Sequence, residues 1–526
     1  FLGMTDAYTR LESIVDCVIE HARRFPDRPA IIFEDGAVTY DRLSAQVEEL
    51  AGQLLEIGVQ RGDVVACLSY PRIDAYTLHL ALISVGALWL GINPKYKLSE
   101  MSHIVQDAKP VAIFFVSEMD GRDYVNDVNA LQSAADCIKH LVCFDNAVPG
   151  ATLFSELMAE GTGRRSSAGS TARDGEDLCM IVYTSGSSGR PKGCMLRNKS
   201  MVHRGQMQVR DFDFSGDYPI VFNPWPMNHV GGIQLVSAYV MVAGGTIVFT
   251  RGFDAETMGK TVAENNINLL LLLPTMYHLM FSATSFDPDD FASVELFVFS
   301  GGSLSTGQIR KLRAIGQGRV QANYGLSEGH STVTISTPGL DDKTLSVTVG
   351  RSRDGETRVV GDDGHECAAI GQQGELQVKR EFCMLGYLNL PAATEEVFTA
   401  DGWLKTGDKV ELLEHGEMRL IGRMSEMYKS GGYNIYPREI EMCLEEHPDV
   451  GLAAVIKRPH EVFGEVGVAY ISPKPGRQPT PEELKAWCKR AIADYKIPKG
   501  FVINRNLPLL PNNKIDKVAL QVAIAD

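Results

Sequence analysis

The sequence predicts an α/β protein with more than one domain, and three observations lead to this prediction. First, 526 residues exceed what one simple hydrophobic core organises. Second, the first half alternates helix-period and strand-like segments, a pattern typical of parallel sheets covered by helices. Third, the pattern becomes strand-and-turn beyond about residue 335, and after Arg423 it changes again to mixed helices and strands.

Residue spacing predicts the first elements. Apolar residues recur at intervals of three and four and give one helix face that ends at Gly58: Leu43, Val47, Leu50, Leu54 and Ile57. "DVVACL" (63–68) and "VAIFFV" (111–116) predict short buried strands. The run Leu269–Leu273, which stops at Pro274, predicts another, and "GTGRRSSAGSTARDGE" (161–176) predicts an exposed linker.

The last hundred residues predict a compact α+β module. A hairpin with its turn near His415–Gly416 precedes it. Within the module, Pro437 stands at the first position of a predicted helix, and Thr480 and Glu483 form a capping box that opens a second one. The strands "VGLAAVIKR" and "EVGVAYISP" lie between these helices.

Composition excludes several classes of function. A net charge of −15 argues against a general nucleic-acid binder. The ten cysteines have neither a CxxC pair nor metal-like spacing, so we interpret them as reduced thiols of a cytoplasmic protein. The longest apolar stretch, 80–92, is shorter than the roughly 20 residues of a membrane helix, and no signal peptide is predicted.

A glycine-rich loop, "YTSGSSGRPKG" (183–193), follows a predicted strand. The loop departs from the Walker A pattern, because Lys192 lies between Pro191 and Gly193 instead of preceding a hydroxyl residue. Its backbone N–H groups and hydroxyls suit phosphate oxygens. A plain surface hairpin explains the loop equally well when it is considered alone.

Five further motifs change this balance. They are "PWPMNHVGG" with His229, "NYGLSE" (323–328), "GWLKTGD" ending at Asp408, "GRMSEMYKSGGYNIYPREIE" beginning beside Arg423, and "LPLLPNNKIDK" with Lys514. Each has a structural explanation when taken singly, such as a core histidine or a surface lysine. Together with the glycine loop, and over 38–517, they resemble the superfamily of acyl-AMP-forming enzymes, which includes acyl-CoA synthetases, carrier-protein adenylation domains and beetle luciferases.

This resemblance implies a fold and a reaction. The fold is α/β and multidomain, with a large N-terminal domain (4–423) of two βαβ-type subdomains plus a small β-barrel, and a small mobile α+β C-terminal domain (424–526). In the implied reaction a carboxylate attacks the α-phosphate of ATP with Mg²⁺, giving acyl-adenylate and pyrophosphate. A thiol, with coenzyme A favoured, then displaces AMP.

The resemblance also implies roles for matching residues. Lys514 would bridge the substrate carboxylate and the α-phosphate, Ser327 would touch that phosphate, and His229 would line the carboxylate site and move aside for the thiol. Glu328 and Thr184 would hold Mg²⁺. The acid would contact His229, Val230, Gly231 and Gly325. The nucleotide and cofactor set comprises Thr184, Ser185, Gly186, Ser187, Ser188, Gly189 and Lys192 at the β- and γ-phosphates, Gly301, Gly302, Ser303, Asn323, Tyr324 and Gly325 around adenine, Asp408 and Arg423 at the ribose, and Lys429, Gly431 and Gly432, the two glycines near the thiol tunnel.

Several positions depart from the family pattern without removing a catalytic side chain. Ser327 replaces the commoner threonine and keeps the hydroxyl. Asn513 precedes Lys514 where glycine is usual, and asparagine tolerates positive φ better than most residues. Ser425 occupies the usual hinge position of Asp or Lys, and Ala322 stands where a polar residue often meets adenine.

The acid and its acceptor are constrained less tightly. Residues 229–239 contain no carboxylate to hold an α-ammonium, so we expect a non-amino-acid substrate with an aryl, fatty or polycyclic body. Alternatively, these residues only pack the start of a helix and do not line a pocket for the acid. The chain ends twelve residues after Lys514 without a carrier module, which favours free coenzyme A. A separate acyl carrier protein, a luciferase-like oxygenase and a non-catalytic acyl-nucleotide-binding protein are alternatives, and a homo-oligomer is left open.

Overall fold

A computed structural model describes residues 11–34, 36–160, 174–184, 191–352, 355–510 and 514–522 of the chain. Most of the predicted linker and the loop residues Ser185, Gly186, Ser187, Ser188 and Gly189 lie outside the described residues, as does Asn513.

The helices and strands are numbered in chain order. The α-helices are α1 Ile14–Arg24, α2 Tyr40–Glu56, α3 Ile73–Val85, α4 Leu98–Ala108, α5 Val125–Ala134, α6 Phe154–Glu160, α7 Asn198–Asp211, α8 Tyr239–Ala243, α9 Ala255–Glu264, α10 Pro274–Ser282, α11 Thr306–Arg313, α12 Asp342–Val347, α13 Pro391–Val397, α14 Pro437–Glu445, α15 Pro481–Ala491 and α16 Lys517–Val522. The strands are β1 Pro29–Phe33, β2 Gly36–Thr39, β3 Val64–Leu68, β4 Leu88–Ile92, β5 Ala112–Phe115, β6 Glu118–Met119, β7 Arg122–Asp123, β8 His140–Cys143, β9 Thr152–Leu153, β10 Leu178–Thr184, β11 Lys192–Arg197, β12 Ile220–Asn223, β13 Thr246–Phe249, β14 Leu269–Leu272, β15 Leu296–Ser300, β16 Arg319–Tyr324, β17 Thr334–Ile335, β18 Thr348–Arg351, β19 Thr357–Val360, β20 Gln373–Lys379, β21 Gly386–Tyr387, β22 Trp403–Leu412, β23 Glu417–Arg423, β24 Tyr428–Ser430, β25 Tyr433–Ile435, β26 Val450–His460, β27 Gly464–Pro473 and β28 Gly500–Ile503.

Two eight-stranded sheets with largely parallel centres form the large N-terminal part, as predicted. One has the order β17-β16-β15-β14-β12-β13-β1-β2, and the other has the order β21-β11-β10-β4-β3-β5-β8-β9. Antiparallel pairs occur at their edges, for example β16 with β17 and β10 with β11. One continuous hydrophobic core spans both sheets, from Ile14 to Leu404.

The first strand of the chain does not join the sheet formed by the strands that follow it most closely in sequence. Strand β1 pairs in parallel with β13, more than 200 residues later, with Ile31 opposite Ile247. The N-terminal hairpin β1–β2 therefore completes the sheet built from residues 220–335. Long-range pairing of this kind fastens the two subdomains to each other.

The strand-and-turn region forms a five-stranded antiparallel sheet with the order β18-β23-β22-β20-β19. In the described part of the chain its two end strands, β18 and β19, do not pair with each other, so this sheet is open where the resemblance implied a small barrel. It has a small core of its own around Leu376, Val410 and Met418.

The C-terminal part is the α+β module that the sequence predicted. Its sheet has the order β25-β24-β27-β26, with β28 beside β27. Helices α14 and α15 cover it, and a separate hydrophobic cluster runs from Tyr428 to Ile497. Thr480 closes the predicted capping box at the start of α15. The exact domain boundary near residue 423 stays a prediction, and the separate core supports it.

Local predictions in the first half are also confirmed. Helix α2 buries its apolar face, and Leu43, Leu50 and Leu54 are fully inaccessible to solvent. Strand β14 is buried throughout and Pro274 opens the helix that follows. None of the described helices combines the length and the apolar character that crossing a membrane requires. All ten cysteines are free thiols.

A buried histidine predicts how stability responds to acid. His79 on α3 is inaccessible to solvent, it packs against Tyr76 and Trp89, and neither ring nitrogen has a hydrogen-bond partner among the described residues. Burial lowers its pKa to about 3. Because the unfolded chain binds this proton below a pH of about 6.5 and the folded chain does not, stability falls as pH drops from about 6.5 towards 3.

We therefore expect His79→Leu to lessen the acid sensitivity of the protein. From the two pKa values, the wild type should lose about 2 kcal/mol more stability than the variant between pH 7 and pH 5. Urea unfolding at both pH values measures this difference, and His365→Leu, which replaces an exposed histidine, serves as the control. An equal loss in wild type and His79→Leu would show that the buried imidazole does not set this response.

Candidate active site

The glycine loop joins the two strands of a hairpin. Thr184, the last residue of β10, lies opposite Lys192, the first residue of β11. The hairpin thereby brings the predicted metal ligand and the predicted phosphate ligand side by side at the edge of the described chain. Between them, residues 185–190 lie outside the described ranges.

Glu328 lies beside this hairpin. It belongs to a short 3₁₀ turn, Ser327–Gly329, that follows β16. The Tyr387 hydroxyl donates to Glu328 Oε1 at 2.9 Å, and Lys192 Nζ lies 5.1 Å from the centre of the Tyr387 ring. Burial and then the Glu328 charge raise the pKa of the nearby Cys194 thiol. The Thr184 hydrogen bond and the Lys192 charge act to lower the same pKa. Glu328, Lys192 and Thr184 therefore share one electrostatic environment.

A second group forms around Asp408, which is almost fully buried. Tyr324 donates its hydroxyl to Asp408 Oδ2 at 2.6 Å, and Arg423 Nε lies 3.0 Å from Oδ1. Asp408 and Arg423 are paired positions on β22 and β23, so the sheet register fixes their contact. Burial raises the pKa of Asp408, although Arg423 and Tyr324 oppose the shift. The Asp408 charge, chiefly, raises the pKa of Arg423.

Lys514 reaches the same place from the other end of the chain. The Leu510 N–H donates to the Lys514 carbonyl at 2.7 Å, and Leu509 bridges to Ile515, so the two segments pair as a hairpin. A Cβ placed on Gly301 would lie 3.3 Å from Lys514 Cε, so the lysine side chain lies against this glycine. Desolvation of the ammonium and then the Arg423 charge lower its pKa, whereas Asp408 opposes them.

His229 lies in the loop after β12, within the electrostatic influence of Lys514. The Gly231 N–H donates to His229 Nδ1 at 3.0 Å, so this nitrogen carries no proton and the neutral ring holds its proton on Nε2. Burial, reinforced by the Lys514 charge, lowers the pKa of His229 to about 3. The imidazole is therefore neutral at physiological pH, with an N–H available to a ligand.

Two predicted glycines are required by close packing. Gly325 passes so near the backbone of the following loop that a Cβ would lie 1.2 Å from the Ser331 carbonyl oxygen. Gly301 has φ +76°, and a Cβ there would approach Leu273 Cδ2 to 2.8 Å. Beside it, Gly302 is exposed and Ser303 is buried. The first glycine of this pair leaves room for the Lys514 side chain.

Packing also explains the residues predicted to contact the acid. A Cβ on Gly231 would lie 2.5 Å from Trp225 Cε3, and Val230 is buried beside it. Gly231 opens a π-helix that extends to Ala238. The presence of Gly231 thus follows from the Trp225 ring alone, and contact with the acid stays a prediction.

The remaining predicted residues fall into two places. Asn323 is buried near the end of β16, where its Nδ2 donates to Ser300 Oγ at 3.0 Å, and Ser327 is buried in the 3₁₀ turn that follows. Lys429, Gly431 and Gly432 lie instead on the exposed β24–β25 hairpin, whose contacts run to Phe463 and Glu465. Their role at the thiol tunnel stays a prediction.

One residue of the site was missed by sequence reasoning. Tyr387 links Lys192 to Glu328, yet it stands 59 residues after Glu328 in an inconspicuous Gly-Tyr dipeptide. Strand β21 places it by pairing with β11, where Tyr387 lies opposite Cys194. Only the register of this sheet reveals the contact, because no motif spacing relates the two segments.

The fold and these two clusters define a class of nucleotide-dependent enzyme, and the comparisons with known proteins identify its family. The model of the AMP-binding enzyme family matches residues 18–388, and that of the AMP-binding enzyme C-terminal domain matches residues 439–514. The chain belongs to the AMP-binding enzyme family, as the resemblance predicted.

Curated relatives and solved structures agree with this assignment. Indoleacetate–CoA ligase of Aromatoleum aromaticum is 30% identical over 96% of this chain and 97% of its own. The 3-[(3aS,4S,7aS)-7a-methyl-1,5-dioxo-octahydro-1H-inden-4-yl]propanoyl:CoA ligase of Rhodococcus jostii is 29% identical over 95% and 96%. The structure of ATP-bound MatB from Rhodopseudomonas palustris has a TM-score of 0.84, at 25% identity over 97% of this chain and 99% of that one.

Proposed function

We propose that the protein is an AMP-forming acid–thiol ligase, which converts a carboxylic acid and ATP to acyl-AMP and pyrophosphate and then transfers the acyl group to the thiol of coenzyme A. One observation carries the proposal beyond family membership. Lys514, His229, Asp408 and Arg423, from four separate segments, converge in one site. A protein that only bound nucleotide would not need a lysine delivered to this point by a distant hairpin.

The charges of the reactants explain this set of residues. The attacking carboxylate and the α-phosphate are both anions, so positive charge between them lowers their repulsion and stabilises the transition state. We assign this task to the Lys514 ammonium. The neutral His229, with its proton on Nε2, would donate a hydrogen bond beside the reacting carboxylate without adding charge. Ser327 would contact the α-phosphate, and Lys192 would contact the outgoing pyrophosphate.

We assign the nucleoside to the second cluster. Asp408 is fixed by Tyr324 and Arg423 and can accept hydrogen bonds from both ribose hydroxyls. Tyr324 would then lie under the adenine ring, with Gly301, Gly302 and Ser303 on the other face. Gly325 would allow the backbone to approach the nucleotide closely.

Glu328 and Thr184 fit a magnesium ion that ATP brings with it. Mg²⁺ in nucleotide sites takes one or two protein oxygens and fills its other positions with phosphate oxygens and water. Glu328 offers a carboxylate beside Thr184 and Lys192, and the described residues contain no cluster of three or more His, Cys, Asp or Glu that could hold a metal by itself. The ion would neutralise charge on the phosphates.

A carboxylic acid whose body carries no charged group is the proposed substrate class. The segment from His229 to Tyr239 is buried or nearly so and contains no carboxylate that could hold an amino group. Relatives named for indoleacetate and for a fused bicyclic propanoyl group support an aryl or polycyclic acid. A cytoplasmic location is part of the same proposal and rests on the ten free thiols.

A panel of aryl, fatty and polycyclic acids, assayed for pyrophosphate release with and without coenzyme A, tests the function. We expect release with at least one acid, and thioester only when coenzyme A is present. If adenylate formed but no thioester appeared in the presence of coenzyme A, the acceptor in the second step would be a separate acyl carrier protein. No release across the panel would contradict the ligase.

The ribose assignment gives a further prediction. Asp408→Asn keeps the shape but removes the charge that Arg423 and the ribose hydroxyls share, so KM for ATP should rise by about 10–100-fold with a smaller change in kcat. Asp401→Asn is the matched control, because Asp401 is an exposed carboxylate that pairs with Arg358 at 2.7 Å near the same sheet. An unchanged KM in Asp408→Asn would place the ribose elsewhere.

A further inference from the structure

We propose that Glu446 is a latch that holds the C-terminal domain in the arrangement that brings Lys514 to the site, by binding the first residue of helix α11 in the N-terminal domain. The inference rests on the proposed function, because it concerns the balance between the adenylate-forming step and the thioester-forming step. Glu446 acts through Lys514 and is a positioning residue.

The contact is made by both oxygens of one carboxylate. Glu446 Oε1 accepts from the Thr306 backbone N–H at 3.0 Å, and Oε2 accepts from the Thr306 hydroxyl at 2.8 Å. Thr306 is the first residue of α11, whose own cap, Ser305, already serves Gln308. A carboxylate at this end of a helix also interacts favourably with the helix dipole.

The two partners belong to different bodies. Thr306 lies in the segment that the AMP-binding family model matches, and Glu446 lies in the segment matched by its C-terminal domain. Their hydrophobic cores are separate. Glu446 follows the last turn of α14, so a rotation of the C-terminal domain would withdraw the carboxylate from α11.

Other groups at the same contact oppose the latch. Lys311 on α11 and Lys474 after β27 carry like charges on the two sides of the contact. Burial and then the Lys311 charge lower the pKa of Lys474, whereas Asp449 and then Glu446 act in the opposite direction. Gly451 of the C-terminal domain packs so tightly on His278 that a Cβ would lie 2.7 Å from its ring. The Glu446 carboxylate therefore joins the two bodies at a contact where two lysines carry like charge.

This balance suits a domain that has to leave after the first step. Thioester formation requires the thiol to reach the acyl carbon, and the Gly431–Gly432 turn that the resemblance assigns to the thiol tunnel is exposed in this arrangement, with the Gly431 N–H bonded to the Phe463 carbonyl. A contact that is too strong would trap the domain after adenylation. A contact that is too weak would leave Lys514 outside the site for most of the time.

Substitutions on the two sides should thus have opposite effects. We expect Glu446→Ala to slow pyrophosphate exchange by about five- to tenfold, since hydrogen bonds to a charged group are stronger than neutral ones and exposure weakens them. Thioester formation from preformed acyl-AMP should be unchanged or faster. Lys311→Gln should have the opposite effect. Its rate of pyrophosphate exchange should be maintained or raised, and its rate of thioester formation should fall by about twofold.

Matched variants isolate the contact. Thr306→Ser keeps both donors and should behave as wild type, whereas the isosteric Thr306→Val loses only the hydroxyl and should show part of the Glu446→Ala effect. Glu482→Gln, a change to an exposed carboxylate on α15, controls for net charge. Hydrogen–deuterium exchange of the ligand-free protein should be faster at the start of α11 in Glu446→Ala.

The latch would be overturned if Glu446→Ala lowered the rates of both half-reactions equally. It would also be overturned if hydrogen–deuterium exchange at the start of α11 were unaltered in this variant. If the wild type releases no pyrophosphate with any acid, the proposed ligase function is wrong. Hydrogen–deuterium exchange still tests the Glu446–Thr306 contact in that case, because it needs no substrate. A parallel shift of Thr306→Ser and Thr306→Val would also contradict the latch, because only one of these variants removes a donor.

Discussion

Lys514→Ala is expected to slow acyl-adenylate formation by about 10²–10³-fold, the cost of removing one group that stabilises developing charge in a transition state. The ammonium lies against Gly301, and its charge interacts with His229, Asp408 and Arg423, where the substrate carboxylate and the α-phosphate are proposed to meet. Pyrophosphate exchange with a substrate acid measures this step.

The second half-reaction separates this role from a general defect. Thioester formation from preformed acyl-AMP should stay near the wild-type rate, because the α-phosphate has already reacted and Lys514 is no longer needed. Lys485→Ala, which removes an exposed lysine from α15, should leave both steps unchanged. Losses of the same size in both half-reactions of Lys514→Ala would show that the lysine supports the fold or the nucleotide site in general.

Gly325→Ala is expected to abolish activity and to lower the free energy of unfolding by about 3 kcal/mol or more. A Cβ at this position would overlap the Ser331 carbonyl oxygen, at 1.2 Å. The loop cannot easily yield, since Val333 N–H donates to the Tyr324 carbonyl at 2.8 Å and Ser331 N–H donates to the Leu326 carbonyl at 3.0 Å. The backbone that carries Tyr324 and Glu328 would therefore move.

Gly252→Ala provides the matched control, because a Cβ there meets nothing within 4 Å and the backbone has no left-handed conformation. Thermal unfolding and nucleotide binding of both variants, measured side by side, test the assignment. If Gly325→Ala kept the wild-type melting temperature and bound ATP normally, the close approach of the two backbone segments would not be a feature of the protein in solution.

The helices that were predicted from the sequence depend on interactions between residues a few positions apart. The three- and four-residue spacing from Leu43 to Leu54 gave α2, and Thr480 with Glu483 gave the start of α15, because both signals act within one or two helical turns. The motifs around His229, Asp408 and Lys514 gave the family, since the chemistry requires particular side chains in a particular order.

The sequence alone thus determined several of the helices and strands, the family of the chain and the side chains that are candidates for the site. The tertiary structure decided which of these meet. Tyr324 joins Asp408 across 84 residues, Tyr387 joins Glu328 across 59, and Glu446 joins Thr306 across 140. Such contacts depend on sheet register and on how separate cores pack, which local spacing does not encode. The same reason explains why strand β1 enters the second sheet, and why the predicted barrel is an open sheet among the described residues.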